Sequence, residues 1–122
     1  MKPIKHTPVK TRVLIADDHI IVRAGLGALL GTEPDIEVVG LAKNGIEAVR
    51  ETLKLQPDIV IMDLMMPKKD GVAATAEISE KAPDAKVILL TTFGTSDGIA
   101  HAIRNGAKGA ILKNADNAQL VT

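Results

Sequence analysis

The sequence predicts an α/β fold built on one parallel sheet with helices on both faces. Five short apolar segments alternate along the chain with segments whose apolar residues recur at helical spacing. Turn signals such as Pro57-Asp58, Asp70-Gly71 and Asn105-Gly106 separate them. Because strands that alternate with helices pair in parallel through right-handed crossovers, we expect a doubly wound sheet in one domain.

The composition is that of an ordinary globular domain and argues against several classes of function. Fifteen basic residues balance fifteen acidic ones, so overall charge gives no reason to expect binding to nucleic acid or to an anionic membrane. One Phe and no Trp or Tyr argue against stacking on single-stranded bases. The lack of cysteine excludes disulfides and thiol chemistry. No apolar run approaches about 20 residues and no signal peptide follows Met1, so we expect a cytoplasmic protein.

The predicted strands are 12–16, 36–42, 59–63, 86–91 and 109–112, and the second has the partial alternation of an edge strand. The first and third predicted helices are 20–30 and 72–81, and the second is capped by Asn44 and ended by Gln56-Pro57. A fourth helix ends at Asn105-Gly106, where the glycine suits a left-handed cap. The expected apolar faces are Ile21, Val22, Leu26, Leu29 and Leu30 on the first helix, and Ile46, Val49 and Leu53 on the second.

Both ends of the chain differ from this repeating pattern. Residues 1–11 carry three lysines and two prolines without a period, so we expect a mobile tail, with a basic phosphate-binding arm as the alternative. The domain proper is then 12–122. A last helical pattern begins near Asp116 or Asn117 and continues for only about one turn and a half at 3.6 residues per turn. We therefore expect a truncated last helix.

Four of the five predicted strands end in a polar residue. Asp17 and Asp18 follow the first, Asp63 closes the third, and Thr91 and Lys113 end the fourth and fifth. The carboxyl ends of parallel strands share one edge of the sheet. If the strand order is the flavodoxin-like 2-1-3-4-5, the four strands that end in a polar residue are contiguous and their polar ends gather at that edge.

These side chains predict a site for phosphoryl chemistry. Three gathered carboxylates repel one another unless a cation is present, and a hard divalent ion such as Mg²⁺ suits an oxygen-lined site. The Lys113 cation and the Thr91 hydroxyl supply what an anionic tetrahedral group needs. Together they indicate a site that accepts a phosphoryl group on a carboxylate.

Across residues 12–122 the chain resembles bacterial response-regulator receiver domains, and it is most similar to the NarL/FixJ class, whose output is a LuxR-type helix-turn-helix. The resemblance rests on five landmarks in the right order and spacing. They are Leu14-Ile15-Ala16-Asp17-Asp18-His19, Val60-Ile61-Met62-Asp63-Leu64-Met65-Met66-Pro67, Asp70-Gly71, Leu89-Leu90-Thr91-Thr92 and Gly106-Ala107-Lys108-Gly109-Ala110-Ile111-Leu112-Lys113.

The resemblance implies a Mg²⁺ cofactor and a role for each metal ligand. Asp63 is implied to be the phosphoacceptor, which takes its phosphoryl group from the phosphohistidine of a sensor histidine kinase. Asp18 and Asp63 are implied to ligate Mg²⁺ directly, and Asp17 to do so through water. The main-chain carbonyl of Met65 is implied to add a further ligand.

The same resemblance implies the rest of the switch. Lys113 is expected to pair with the carboxylate or phosphoryl oxygens, and Thr91 to hydrogen-bond the phosphoryl group. Such a domain promotes its own phosphorylation and dephosphorylation but turns over no external substrate. The expected output partner is a DNA-binding domain beyond residue 122 in the parent protein. A homodimer through the first and last helices is a further hypothesis.

Two positions depart from the family pattern. Ala110 stands three residues before Lys113, where the family usually has Phe or Tyr, and Asn114 replaces an acidic residue that often follows the lysine. Without the aromatic side chain, the signal is expected to pass through the fourth helix or through the first and last helices.

Rival interpretations stay open at this point. A receiver-like module that signals without phosphorylation is compatible with Ala110. A haloacid-dehalogenase-like phosphatase also uses an aspartyl phosphate, but it needs a second Asp two residues after its nucleophile, where this chain has Met65. A Rossmann nucleotide binder lacks its glycine fingerprint after the first strand. His19 is either a metal ligand or a solvent-facing first-turn residue, and we expect the latter.

Overall fold

The structure is a computed structural model, and it describes residues 10–64, 66, 68–91 and 103–112, the side chains of 91, 111 and 112 excepted. Within these residues the chain forms five strands and three complete helices. In chain order they are β1 (Thr11–Ala16), α1 (Ile20–Gly31), β2 (Ile36–Ala42), α2 (Gly45–Leu55), β3 (Ile59–Asp63), α3 (Gly71–Lys81), β4 (Lys86–Thr91) and β5 (Gly109–Leu112).

The five strands form one sheet in the order β2-β1-β3-β4-β5, and all of its pairings are parallel. This confirms the predicted flavodoxin-like α/β fold and its strand order, with β2 at an edge. β1 begins one residue earlier than predicted, because the Thr11 amide donates to the Asp35 carbonyl and Thr11 pairs with Ile36. In this strand order, the central strands β1, β3 and β4 each have a neighbouring strand on both sides.

Side chains that alternate along the strands fill a separate core on each face of the sheet. Leu14, Val60 and Leu89 point to the face covered by α2 and α3. Val13, Ile15 and others point to the opposite face, where α1 contributes Leu26 and Leu30. Because both faces are covered, the central strands read as nearly continuous apolar runs.

The apolar face predicted for α1 is partly wrong. Leu26 and Leu30 are buried as expected, but Ile21 is 81% exposed. Helical geometry explains the difference, since residues four apart share a face and Val22 rather than Ile21 continues the line through Leu26 to Leu30. Ile20, also 70% exposed, lies beside Ile21 at the start of the helix.

The apolar face predicted for α2 is wrong at two of its three positions. Val49 is buried, whereas Ile46 and Leu53 are 51% and 42% exposed. The helix packs instead through small residues at helical spacing, including Ala48 and Thr52. Small side chains let the helix axis approach the sheet closely, so the larger apolar residues that flank this stripe stay at the surface.

Local signals set the ends of the helices that border the site. The Glu47 amide donates to Asn44 Oδ1 at 2.8 Å, so Asn44 caps α2 as predicted. Asp70, predicted as part of a turn, caps α3 by accepting from the Ala73 amide at 2.8 Å. Gly106 has the predicted left-handed backbone with φ 116°, and a Cβ there would also lie 1.8 Å from Ser79 Oγ.

Several predictions lie outside the described residues, namely those on the tail over 1–9, on the fourth helix up to residue 102 and on the truncated last helix. Only Ile103 and Arg104, at the end of the predicted fourth helix, are described as helical. Among the described residues, none of the helices has the length and apolar character needed to cross a membrane.

Candidate functional site

An acidic cluster lies at the carboxyl edge of the sheet, where β1 and β3 end side by side. Ala16 pairs with Met62, so the next residues, Asp17 and Asp63, emerge at the same level. Ligand atoms of Asp17, Asp18, His19 and Asp63 all lie within 4.8 Å of one another. The predicted convergence of the three carboxylates is therefore present in the structure.

Burial distinguishes the members of this cluster. Asp17 and Asp63 are only 0% and 3% exposed, whereas Asp18 is solvent-facing. Buried carboxylates are retained where hydrogen bonds or a cation compensate for their loss of hydration. The cluster therefore has a buried floor formed by Asp17 and Asp63, and an open side at Asp18.

Main-chain and side-chain hydrogen bonds hold the β1 half of the cluster. The His19 amide donates to Asp17 Oδ1 at 2.8 Å. His19 Nδ1 lies 2.9 Å from the same oxygen and 3.1 Å from Asp18 Oδ1. Arg23 Nη1 donates to the Asp17 carbonyl at 2.6 Å, and the Asp17 amide donates to the Ala42 carbonyl at 3.0 Å. The Asp17 carboxylate is therefore oriented by His19, and the Asp17 backbone is held by Arg23 and Ala42.

The position of His19 agrees in part with each of its two interpretations from the sequence, a metal ligand and a solvent-facing first-turn residue. Its side chain is 62% exposed, as expected for a first-turn residue. Its ring nitrogen nevertheless lies against two of the three carboxylates, so it borders the cluster rather than facing away from it.

The β3 half of the cluster is held by close backbone packing. The Leu64 amide donates to the Leu90 carbonyl at 3.2 Å and continues the ladder beyond Asp63. The Gly71 amide donates to the Leu64 carbonyl at 2.9 Å. A Cβ at Gly71 would lie 2.3 Å from the Asp63 carbonyl oxygen, closer than real contacts allow. The first residue of α3 therefore rests directly on the backbone of Asp63.

The donor set fits a hard divalent cation. Three carboxylates supply oxygen ligands and negative charge, which is what Mg²⁺ prefers in proteins. The open side at Asp18 leaves room for the water ligands that Mg²⁺ usually retains. The acidic pocket formed by Asp17, Asp18 and Asp63 is thus compatible with Mg²⁺.

The remaining predicted site residues are described only in part. Thr91 is the last residue of β4 and pairs with Leu112, so its backbone reaches the same edge of the sheet. Met65 and Lys113 lie outside the described residues. Ala110, on β5, pairs with Leu89 of β4 and is exposed.

Sequence reasoning missed two kinds of contributor. Arg23 is not predicted near the cluster, since a helical arginine usually faces solvent and its contact with the Asp17 carbonyl, six residues earlier, follows no helical spacing. For Gly71, the sequence predicts only a place in the Asp70-Gly71 turn. A glycine that is needed for close approach looks the same in one sequence as a glycine that is merely tolerated.

Comparisons with known proteins agree with this geometry. Residues 13–122 match the family model described as the response regulator receiver domain. Oxygen regulatory protein NreC from Staphylococcus carnosus is 45% identical over 112 residues, which are 91% of this chain and 52% of that protein. The chain therefore spans about half the length of the curated relatives it matches.

Solved structures give the same result. The signal receiver domain of NarL from Mycobacterium tuberculosis matches with a TM-score of 0.90 and 29% identity, covering 93% of this chain and 92% of that one. A LuxR-family DNA-binding response regulator from Staphylococcus aureus matches with a TM-score of 0.85 and 31% identity, covering 91% and 92%. The chain belongs to the response regulator receiver domain family, and its relatives are regulators of the NreC and NarL type.

Proposed function

We propose that this chain is a Mg²⁺-dependent phosphoacceptor, in which Asp63 receives a phosphoryl group from the phosphohistidine of a sensor histidine kinase. One observation carries the proposal. Asp63 is a nearly buried carboxylate at the end of a central strand, and ligand atoms of Asp17 and Asp18 lie within 4.8 Å of its own. A purely structural aspartate gains nothing from two further carboxylates beside it.

In the proposed site, Asp18 and Asp63 ligate Mg²⁺ directly and Asp17 holds it through water. The main-chain carbonyl of Met65 is the further proposed ligand. When bound, the ion neutralises charge that develops on the phosphoryl oxygens. The contacts of Asp17 with His19 and Arg23 keep the β1 side of the pocket in place before the ion enters.

The proposed reaction is an in-line transfer between two nucleophiles. A carboxylate oxygen of Asp63 forms a bond to phosphorus while the nitrogen–phosphorus bond of the donor histidine breaks, and the imidazole leaves with the electron pair of that bond. We propose that Lys113 pairs with the phosphoryl oxygens and that the Thr91 hydroxyl donates to one of them. The domain turns over no external substrate in this scheme.

The proposed output follows from the charge that is added. A phosphoryl group brings roughly −1.5 to −2 charges to one strand end, which draws hydrogen-bond donors toward it. Ala110 is exposed on β5 and cannot act as an aromatic switch, so we propose that the signal passes through neighbouring helices. The proposed recipient is a DNA-binding domain beyond residue 122, and phosphorylation-dependent dimerisation is part of the same proposal.

Mass spectrometry after incubation with a small-molecule phosphodonor tests the proposal. With Mg²⁺, the chain should gain the mass of one phosphoryl group, and it should gain none when a chelator replaces Mg²⁺. Asp63→Asn should abolish the gain, whereas Asp84→Asn, which changes an exposed aspartate near the opposite edge of the sheet, should preserve it. Phosphorylation that persists in Asp63→Asn would refute the assignment. No phosphorylation of the unaltered chain would favour a receiver-like module that signals without phosphate.

A further inference from the structure

We infer that Lys69 and Glu77 are positioning residues, whose ion pair holds the loop after Asp63 so that the cation site is formed before the ion binds. The part of the β3–α3 loop in question is residues 68–70, which directly precede α3. The inference rests on the proposed function, because it concerns the same carboxylate cluster.

Glu77, in the middle of α3, binds two lysines at once. Lys69 Nζ donates to one of its carboxylate oxygens, and Lys81 Nζ donates to the other at 2.7 Å. The side chains of Lys69 and Glu77 are 31% and 24% exposed, and that of Lys81 is 49% exposed. The two lysines lower the pKa of Glu77 to about 2, so it is charged at neutral pH.

The two lysines differ in what they tie together. Lys81 lies four residues after Glu77 on the same helix, so their ion pair joins α3 to itself. Lys69 lies eight residues before Glu77, in the β3–α3 loop, so its ion pair joins the loop to the helix. Only the Lys69 pair can restrain the loop.

The loop adopts a conformation that requires such a restraint. Lys68 has φ 70°, a left-handed backbone that side chains with a Cβ disfavour. Strain of this kind persists where the surrounding structure over-determines the conformation, and it concentrates at functional sites. Lys68, the strained residue, immediately precedes Lys69, whose side chain pairs with Glu77.

Two glycine contacts show that the loop has little room to shift. A Cβ at Gly45 would lie 2.0 Å from the Lys69 carbonyl oxygen, so the first turn of α2 rests on the loop backbone. On the other side, Gly71 contacts the carbonyl of Asp63 and donates to that of Leu64. A displacement of Lys69 is therefore transmitted to the backbone beside Asp63.

The Lys69–Glu77 ion pair should raise the affinity of the carboxylate cluster for Mg²⁺. Groups that orient metal ligands without touching the ion commonly change affinity when they are removed, because the ligands lose their prepared geometry. The experiment is a Mg²⁺ titration of the 122-residue chain and its variants, followed by amide chemical shifts. Lys69→Gln and Glu77→Gln should each weaken binding about tenfold. Lys81→Gln should change it by less than about twofold, because exposed pairs within one helix contribute little.

The sign of the Lys69→Gln effect separates positioning from simple electrostatics. Removal of a positive charge near a cation site tightens binding when only long-range charge matters, whereas positioning predicts weaker binding. Lys69→Arg should restore affinity because it can reform the ion pair. The double variant Lys69→Gln/Glu77→Gln should be no worse than either single variant.

Each other outcome overturns the inference. Unchanged or tighter Mg²⁺ binding in Lys69→Gln contradicts it, as does an equal loss in Lys81→Gln. The dispersion of the amide spectra shows whether each variant is folded, and Lys69→Arg provides a second, conservative variant at the same position. If the unaltered chain binds no Mg²⁺, the proposed cation site fails and the inference fails with it. If the unaltered chain binds and only the variant effects are missing, the proposed function stands and the inference alone is wrong.

Discussion

At the scale of single residues, the candidate site depends on close backbone approach as much as on the chemistry of its carboxylates. Gly71 has no space for a Cβ because the Asp63 carbonyl and the Leu64 Cα lie 2.3 and 2.8 Å from where it would be. A Cβ at Gly25, in the interior of α1, would meet no described atom within 4 Å apart from its chain neighbours and the backbone of its own helix. The two positions carry the same residue for different physical reasons.

This difference predicts opposite effects of one substitution. Gly71→Ala should lower the free energy of unfolding by about 1–3 kcal/mol, as overpacking usually does. Gly25→Ala, the matched control, should raise it by about 0.5–1 kcal/mol, because alanine is the better helix former and nothing obstructs its methyl group. Urea unfolding measures both values. An equal effect of the two substitutions would contradict the packing described around Asp63.

Single-sequence reasoning at this scale identified the carboxylates but not their supports. Asp17, Asp18 and Asp63 are recognisable because charged residues at the ends of apolar strands need an explanation. Arg23, Lys69 and Glu77 carry no such mark, since charged residues in helices and loops are normally solvated. Their contacts depend on how α1, α3 and the β3–α3 loop fold back on the sheet.

At the scale of secondary-structure elements, α3 is closely tied to the site among the helices that the structure describes. Its first residue rests on the Asp63 backbone, Asp70 caps it, and Glu77 reaches back to the loop that precedes it. The sequence predicted the helix and its approximate bounds from periodicity and from Asp70-Gly71. It did not predict the apolar faces of α1 and α2 fully, because packing through small residues leaves larger apolar side chains outside.

The charge network on α3 predicts a pH dependence of stability. The pKa of Glu77 is lowered from 4.5 to about 2 by hydrogen bonds from Lys69 and Lys81. Because the pKa of Glu77 is lower in the folded chain than in the unfolded chain, its charge stabilises the fold at a pH above the unfolded-chain pKa. This contribution to stability is lost as the pH falls toward the pKa in the folded chain. Glu77→Gln should therefore destabilise the protein at pH 7, and the difference should shrink as the pH falls from about 4.5 toward 2.

Urea unfolding of the unaltered chain and of Glu77→Gln across this pH range measures the effect. Glu80→Gln, an exposed glutamate on the same helix, is the matched control and should change stability little. A difference between Glu77→Gln and the unaltered chain that stays constant with pH would show that Glu77 contributes by packing rather than by charge.

At the scale of the whole molecule, topology brings distant residues together. Asp17 and Asp63 are far apart in sequence, but parallel pairing of β1 with β3 places them side by side. The sequence predicted this because the alternation of strands and helices restricts the sheet to few topologies, and polar strand ends favour one of them. The roles of Met65 and Lys113 at the carboxyl edge of the sheet stay predictions.

A crystal structure of the chain with Mg²⁺ and beryllofluoride, a mimic of a phosphoryl group, would show whether Asp63 is the phosphoacceptor. We predict beryllofluoride on a carboxylate oxygen of Asp63, with Mg²⁺ held by Asp18 and Asp63 and reached by Asp17 through water. The predicted roles of Thr91 and Lys113 are visible in the same structure. Beryllofluoride or Mg²⁺ bound elsewhere, with the three-carboxylate pocket empty, would contradict the account.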